Sequence, residues 1–108
     1  MSFNVDITES TGGAKPKPGQ QIAAHYTGKL VDGTVFDSSI SRGDPLKFKV
    51  GQGQVIRGWD EGFLQIGVGE KAIITCPPDY AYGANGAGGV IPPNATLTFE
   101  VQLVEIIG

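Results

Sequence analysis

The feature that most constrains this chain is its rhythm: apolar residues recur at every second position, and glycine or proline cuts each run short. In QIAAHYTGKL, residues 21–30, Ile22, Ala24, Tyr26 and Leu30 share one face, and Ala23, His25, Thr27 and Lys29 the other. PLKFKV, residues 45–50, sets Leu46, Phe48 and Val50 against Lys47 and Lys49. ATLTFEVQLVEII, residues 95–107, sets Leu97, Phe99, Val101, Leu103 and Glu105 against Thr98, Glu100, Gln102 and Val104. Residues 3–10 alternate likewise, and EKAIITCP, residues 70–77, is a further strand stopped by Pro77-Pro78, because proline donates no ladder hydrogen bond. Period two is the mark of a half-buried strand. Asp32-Gly33 supplies a tight turn, after which VFDSS restarts an extended segment. Short connections make the five or six strands mostly antiparallel. Seventeen glycines and seven prolines in 108 residues argue against a helical bundle.

One segment alone carries a helical repeat. Within residues 58–66, Trp59, Phe63 and Ile66 form a single apolar stripe, and Asp60 and Glu61 fall in the first turn, where the helix dipole favours negative charge. Gly62 weakens this helix and Gly67 is placed to end it. About two turns are too short to be stable alone, so the sheet must hold them. An antiparallel sheet with one apolar face needs a cover, and this helix is the only candidate. The predicted fold is therefore α+β: a curved antiparallel sheet of five or six strands wrapped around one short helix. No linker, repeat or change of composition divides the chain, so residues 1–108 are read as one domain. Residues 79–95 lack periodicity, and a loop of that length in a small domain points to function.

Charge and cysteine usage narrow the partners. A net charge of -3 without a run of like charges gives no electrostatic reason to bind nucleic acid or an anionic membrane. One cysteine, Cys76, cannot form an internal disulfide, which fits a reducing compartment. The first ten residues lack the basic and apolar regions of a signal peptide, and no apolar run reaches the ~18 residues of a membrane span. A cytoplasmic protein is expected.

Catalytic sets built on acids, bases or nucleophiles are missing. His25 lies mid-strand and reads as a solvated or hydrogen-bonded histidine. Cys76 reads as a buried, inert thiol. With one histidine and one cysteine, a structural zinc site lacks its ligands, and no metal or cofactor is expected. Neither a serine nucleophile elbow nor a phosphate-binding loop occurs. What the chain does have is aromatics from separate elements: Tyr26, Phe36, Phe48, Trp59, Tyr80, Tyr82 and Phe99. Wrapping the sheet over the helix would bring several of them to one end, as the lining of an apolar hollow. Filling the core is the simpler account on pattern alone.

Four stretches change that balance. HYTGKLVDGTVFDSS, GQVIRGWDEG, PPDYAYG and GGVIPPNATLTFEVQL, in this order, resemble the FKBP-type peptidyl-prolyl cis-trans isomerases, the tacrolimus- and rapamycin-binding immunophilins. The resemblance spans nearly the whole chain and is weakest before about residue 19. It implies the same fold and a proline pocket without cofactor. Trp59 would be the floor and Tyr26, Phe36 and Phe99 the walls. Val55 and Ile56 would add apolar contact, with the Ile56 N–H as a donor. Tyr82 would offer its hydroxyl, Ile91 would close one side, and Asp37 would sit at the edge near Tyr26 and Arg42.

The family's small members often carry Phe at the position of Leu46, an acidic residue at that of Gln54, and His-Pro at that of Ala87-Gly88, so the rim differs while the floor matches. The resemblance implies a monomer acting on Xaa-Pro bonds in proteins, binding both macrolides, and docking on calcineurin when drug-bound. An alternative is a binding module that captures proline-containing partners or macrolides without useful turnover. A holdase chaperone would want a large exposed apolar patch or an inserted domain, and the chain offers neither.

Overall fold

Each alternating segment becomes a strand, and its apolar face is the buried one. The strands are β1 (Asn4–Glu9), β2 (Gln21–Leu30), β3 (Val35–Ser38), β4 (Leu46–Lys49), β5 (Lys71–Cys76) and β6 (Leu97–Ile106). In the computed structural model, which describes residues 2–108, they form one sheet in the order β1-β5-β6-β2-β3, with β4 also paired to β2. All pairings are antiparallel. The inner face contributes Ile22, Ala24 and Tyr26 from β2, Phe48 from β4, Ile74 and Cys76 from β5, and Leu97, Phe99, Val101 and Leu103 from β6.

The helix that covers this face is α2 (Arg57–Gly62), extended by a 3-10 turn over Phe63–Gln65. Trp59, Phe63 and Ile66 are buried, as the stripe predicts, but Ile66 is already in extended backbone. Glycine sets how close the helix comes to the sheet. A Cβ on Gly58 would overlap the Sγ of Cys76, and one on Gly62 would lie 3.1 Å from Cδ1 of Ile74. Gly67 does not act as a left-handed helix stop. A side chain there would overlap the Gly13 carbonyl, so the glycine permits a close crossing of two backbones. The carboxylate of Glu70 fastens that crossing, accepting N–H bonds from Gly67 (2.7 Å), Thr11 (3.1 Å) and Gly12 (3.4 Å) and the Ser10 hydroxyl (3.0 Å).

Two further departures from the sequence reading shape the functional end. Ser39, the last residue of the segment expected to be extended, instead opens a single helical turn, α1 (Ser39–Arg42), closed by Gly43 in the left-handed region at φ 72°. The chain leaves the edge of β2 at this turn and returns as β4. One edge of β2 is thus shared: β4 pairs Gln21 to Ala24, and β3 pairs Thr27 to Lys29. On the other edge, the register with β6 shifts, so that Ala24 opposes Leu103 while Ala23 opposes Glu105. Glu105 is consequently exposed, contrary to strict alternation, and Ile106 packs on the core opposite Ile22. Among the described residues, no helix is long and apolar enough to cross a membrane.

The candidate proline pocket

Trp59 stands at the centre of an aromatic cluster built from four elements. Its ring meets Tyr26 edge-on at 4.8 Å between centroids, Phe99 at 5.2 Å and Phe63 at 5.5 Å, and Phe48 lies tilted at 5.8 Å. Edge-to-face contacts at these distances fix ring orientation as well as burying area. The indole N–H is buried without a hydrogen-bond partner among the described residues, a cost that calls for an explanation. A hollow of about 190 Å³ is floored by Trp59 and walled by Tyr26, Phe36 and Phe99.

Phe36 reaches this wall because β2 has no side chain opposite it. A Cβ on Gly28 would overlap the Phe36 ring, which instead stands edge-on to Phe99 at 5.7 Å. A glycine within an alternating strand marks such a close neighbour, a signal the face pattern of residues 21–30 left unused.

A hydrogen-bonded triangle stands at the rim. The Tyr26 hydroxyl donates to Asp37 Oδ2 at 2.6 Å and accepts from Arg42 Nη2 at 2.8 Å, while Arg42 Nη1 donates to Asp37 Oδ1 at 2.6 Å. The Ser38 N–H also reaches Asp37 Oδ1 at 2.9 Å. The Tyr26 hydroxyl, and next the Arg42 guanidinium, hold the Asp37 carboxyl below the usual carboxylate range, so it is anionic at neutral pH. Burial raises the Tyr26 phenol, with its bond to Asp37 adding to the effect. Both carboxylate oxygens are occupied, which leaves Asp37 poorly placed to act as a general base.

The lip opposite is held by its backbone. Asp60, read from sequence only as a helix-start acid, accepts N–H bonds from Gly51 (2.9 Å) and Gly53 (2.8 Å) and ties that loop to α2. Gln54 Oε1 accepts the Lys49 N–H at 3.0 Å, where β4 ends. Leu46, Gln54, Val55 and Ile56 then line the hollow. The Ile56 carbonyl accepts from the N–H groups of Trp59 and Asp60 at the start of α2, while its own N–H has no protein acceptor among the described residues.

Tyr82, from the long loop, lines the far side and is 42% exposed. Burial, then the charge of Asp37, raises its phenol above the ordinary value, so the hydroxyl stays protonated at neutral pH. Two of the expected residues stand apart. Arg42 lies behind Asp37, outside the lining, and Ile91 is buried in the core cluster, where its backbone bridges to Ala87.

A larger hollow of about 520 Å³ lies on the opposite face of the sheet, beside His25, Thr27 and Gln102. Among the described residues it has no Phe, Tyr or Trp in its lining, and Lys71 and Glu100 at its margin pair with Glu9 and Lys29. Cys76 is buried, which pushes its thiol up to about 12. Neither feature rivals the aromatic hollow as a site.

Comparison with known proteins agrees with the geometry. Residues 12–104 match the family described as FKBP-type peptidyl-prolyl cis-trans isomerase. Peptidyl-prolyl cis-trans isomerase Fkbp12 of Drosophila melanogaster is 56% identical over 102 residues, covering 94% of each chain. FK506-binding protein 1A of Emericella nidulans is 57% identical over 100 residues, covering 93% of each. The crystal structure of AtFKBP13 superposes with a TM-score of 0.90 at 40% identity, over 96% of this chain and 92% of that one. The chain belongs to the FKBP-type peptidyl-prolyl cis-trans isomerase family, and is an enzyme of that class.

Proposed function

We propose that the chain, acting as one domain, accelerates rotation about Xaa-Pro bonds in proteins by non-covalent binding of the proline ring on Trp59. The observation that carries this reading is the convergence of Tyr26, Phe36 and Phe99 over one indole, beside a lining carboxylate, Asp37, whose oxygens are already engaged. The bond resists rotation by roughly 18–20 kcal/mol because resonance holds it planar. Resonance is lost in the twisted state, and the carbonyl becomes less dipolar. Water favours the planar state, and an apolar pocket removes that preference without an acid, base or covalent step. A gain of about 10⁵ in rate requires about 7 kcal/mol of such differential stabilisation. The Ile56 N–H and the Tyr82 hydroxyl, on two residues that line the hollow, are the donors for a turn-like twisted peptide. Asp37 serves to orient Tyr26.

The same pocket is our candidate site for tacrolimus and rapamycin, the Emericella nidulans relative being named FK506-binding protein 1A. At about 190 Å³ it is smaller than the ~300–1,000 Å³ of drug-sized sites. A macrolide would therefore insert one ring and spread over the rim of Leu46, Gln54 and Tyr82. The loop around Ala87 would then face calcineurin. We place the protein in the cytoplasm as a monomer, in line with its one buried cysteine.

A protease-free isomerisation assay on an Xaa-Pro peptide is the test. The expected result is exchange well above the thermal rate; a wild-type rate equal to the uncatalysed one sinks the reading. The departures at Leu46, Gln54 and Ala87 favour one alternative, a module that binds without useful turnover. Rapamycin titration followed by Trp59 fluorescence separates the two: tight binding with negligible turnover supports the module.

A further inference from the structure

We infer that Ser39 is a positioning residue for the pocket, replacing with one hydroxyl the strand rung that Tyr26 lacks. The inference rests on the isomerase reading above. Along one edge of β2, pairing with β4 ends at Ala24 and pairing with β3 begins at Thr27. In an antiparallel ladder, the N–H and C=O of one residue point to the same side. Tyr26 aims both groups into the gap, whereas His25 faces β6. Ser39, the first residue of α1, fills the gap with its side chain. Its Oγ accepts the Tyr26 N–H at 2.7 Å and donates to the Tyr26 carbonyl at 3.3 Å. Nδ1 of His25 lies 3.0 Å from the same oxygen. Ser39 is fully buried, so water has no access to take over these bonds.

The segment that interrupts the sheet thus grips Tyr26 at both ends. Ser39 holds its backbone, and Asp37 and Arg42 hold its hydroxyl. Between them the ring stands edge-on to Trp59. Loss of the Ser39 hydroxyl leaves a buried donor and acceptor unpaired, and the ring then turns on its remaining tether. The fold itself depends on the longer pairing of β2 with β6, which Ser39 does not enter.

The test compares Ser39→Ala with Ser39→Thr, which keeps the hydroxyl, and with Ser41→Ala on the exposed side of the same turn. Amide hydrogen exchange reads the backbone, and the protease-free assay reads kcat and KM separately. Expected for Ser39→Ala are a Tyr26 amide that exchanges at least about tenfold faster, unaltered protection at Ile74 and Phe99, and a kcat lower by about tenfold with KM nearly constant. Ser39→Thr should recover part of the kcat, and Ser41→Ala should match wild type. Full Tyr26 protection in Ser39→Ala overturns the inference, as does uniform loss of protection across the sheet. An equally impaired Ser39→Thr also counts against it. An inactive wild type refutes the isomerase reading itself; an active wild type with an unimpaired Ser39→Ala refutes only the role of Ser39.

Discussion

The floor and the rim of the pocket are built by different means. The floor is a packed core that happens to be open on one side: Trp59 and Phe99 are buried, and Phe63 seals them from below. The rim is held by directional bonds, the Asp37–Tyr26–Arg42 triangle and the Asp60 carboxylate under the lip, and Tyr82 completes it from a loop. Packing resists any change of volume, whereas a bonded rim tolerates exchange of the residues it presents. By this difference, the rim positions Leu46, Gln54 and Ala87 should accept substitution more readily than Trp59 or Phe99.

The contrast can be broken from the floor first. Phe63→Ala removes a fully buried ring and should lower unfolding free energy by about 3–5 kcal/mol, read by denaturant titration. A loss below about 1 kcal/mol would mean that the cluster is loosely packed. Gly58→Ala gains helix propensity but drives a methyl into Cys76, and a net loss of roughly 1–3 kcal/mol is expected. Pairing it with Cys76→Ala should recover part of that loss; strict additivity would locate the strain elsewhere.

Changes to the wall at Phe36 and to the rim should act on turnover instead. Phe36→Ala should lower kcat/KM about tenfold or more while far-UV circular dichroism stays native. Tyr82→Phe should shift stability by no more than about 0.5 kcal/mol and lower kcat/KM several-fold, the worth of one hydrogen bond. If Tyr82→Phe unfolded the protein, the hydroxyl would belong to the core rather than to the site.

Acid provides the mildest probe. Glu70 and Asp37 both have carboxyls lowered by native hydrogen bonds, Glu70 by the Gly67 N–H first and Asp37 by the Tyr26 hydroxyl. Unfolding returns each to its ordinary range, so the unfolded chain takes up protons first. Their contribution is complete above the ordinary carboxylate range and is lost as pH falls through it toward the lower native values. Thermal midpoints should fall over that window, and Glu70→Gln should flatten the profile. An unchanged slope in that variant would assign the acid sensitivity to other groups.

Periodicity made most of the sheet legible, because each strand buries one face and exposes the other. The helix was legible from the Trp59–Phe63–Ile66 stripe, although its second half tightens to a 3-10 turn. Three features escaped for a common reason: they depend on what lies across space. The turn at Ser39 follows from β3 and β4 sharing one edge. The register shift before Glu105 answers to pairing with β2, not to the local pattern. Asp60 looked like a dipole partner because spacing does not reveal that its carboxylate meets the amides of Gly51 and Gly53. Pocket residues were placed by the resemblance more than by physics, since a wall of the hollow and a wall of the core share one periodicity.

The broken edge of β2 has a second consequence, for solubility. An unbroken, flat outer strand offers a template on which another chain can add itself and begin an aggregate. Here that border consists of two four-residue strands separated by a helical turn, and one of them presents Lys47 and Lys49 to water. The opposite border, β1, carries Asp6 and Glu9 and is kinked between Ile7 and Glu9. An intruding strand would find only a few consecutive rungs at either border, so the gap beside Tyr26 also shortens the template open to edge-to-edge pairing.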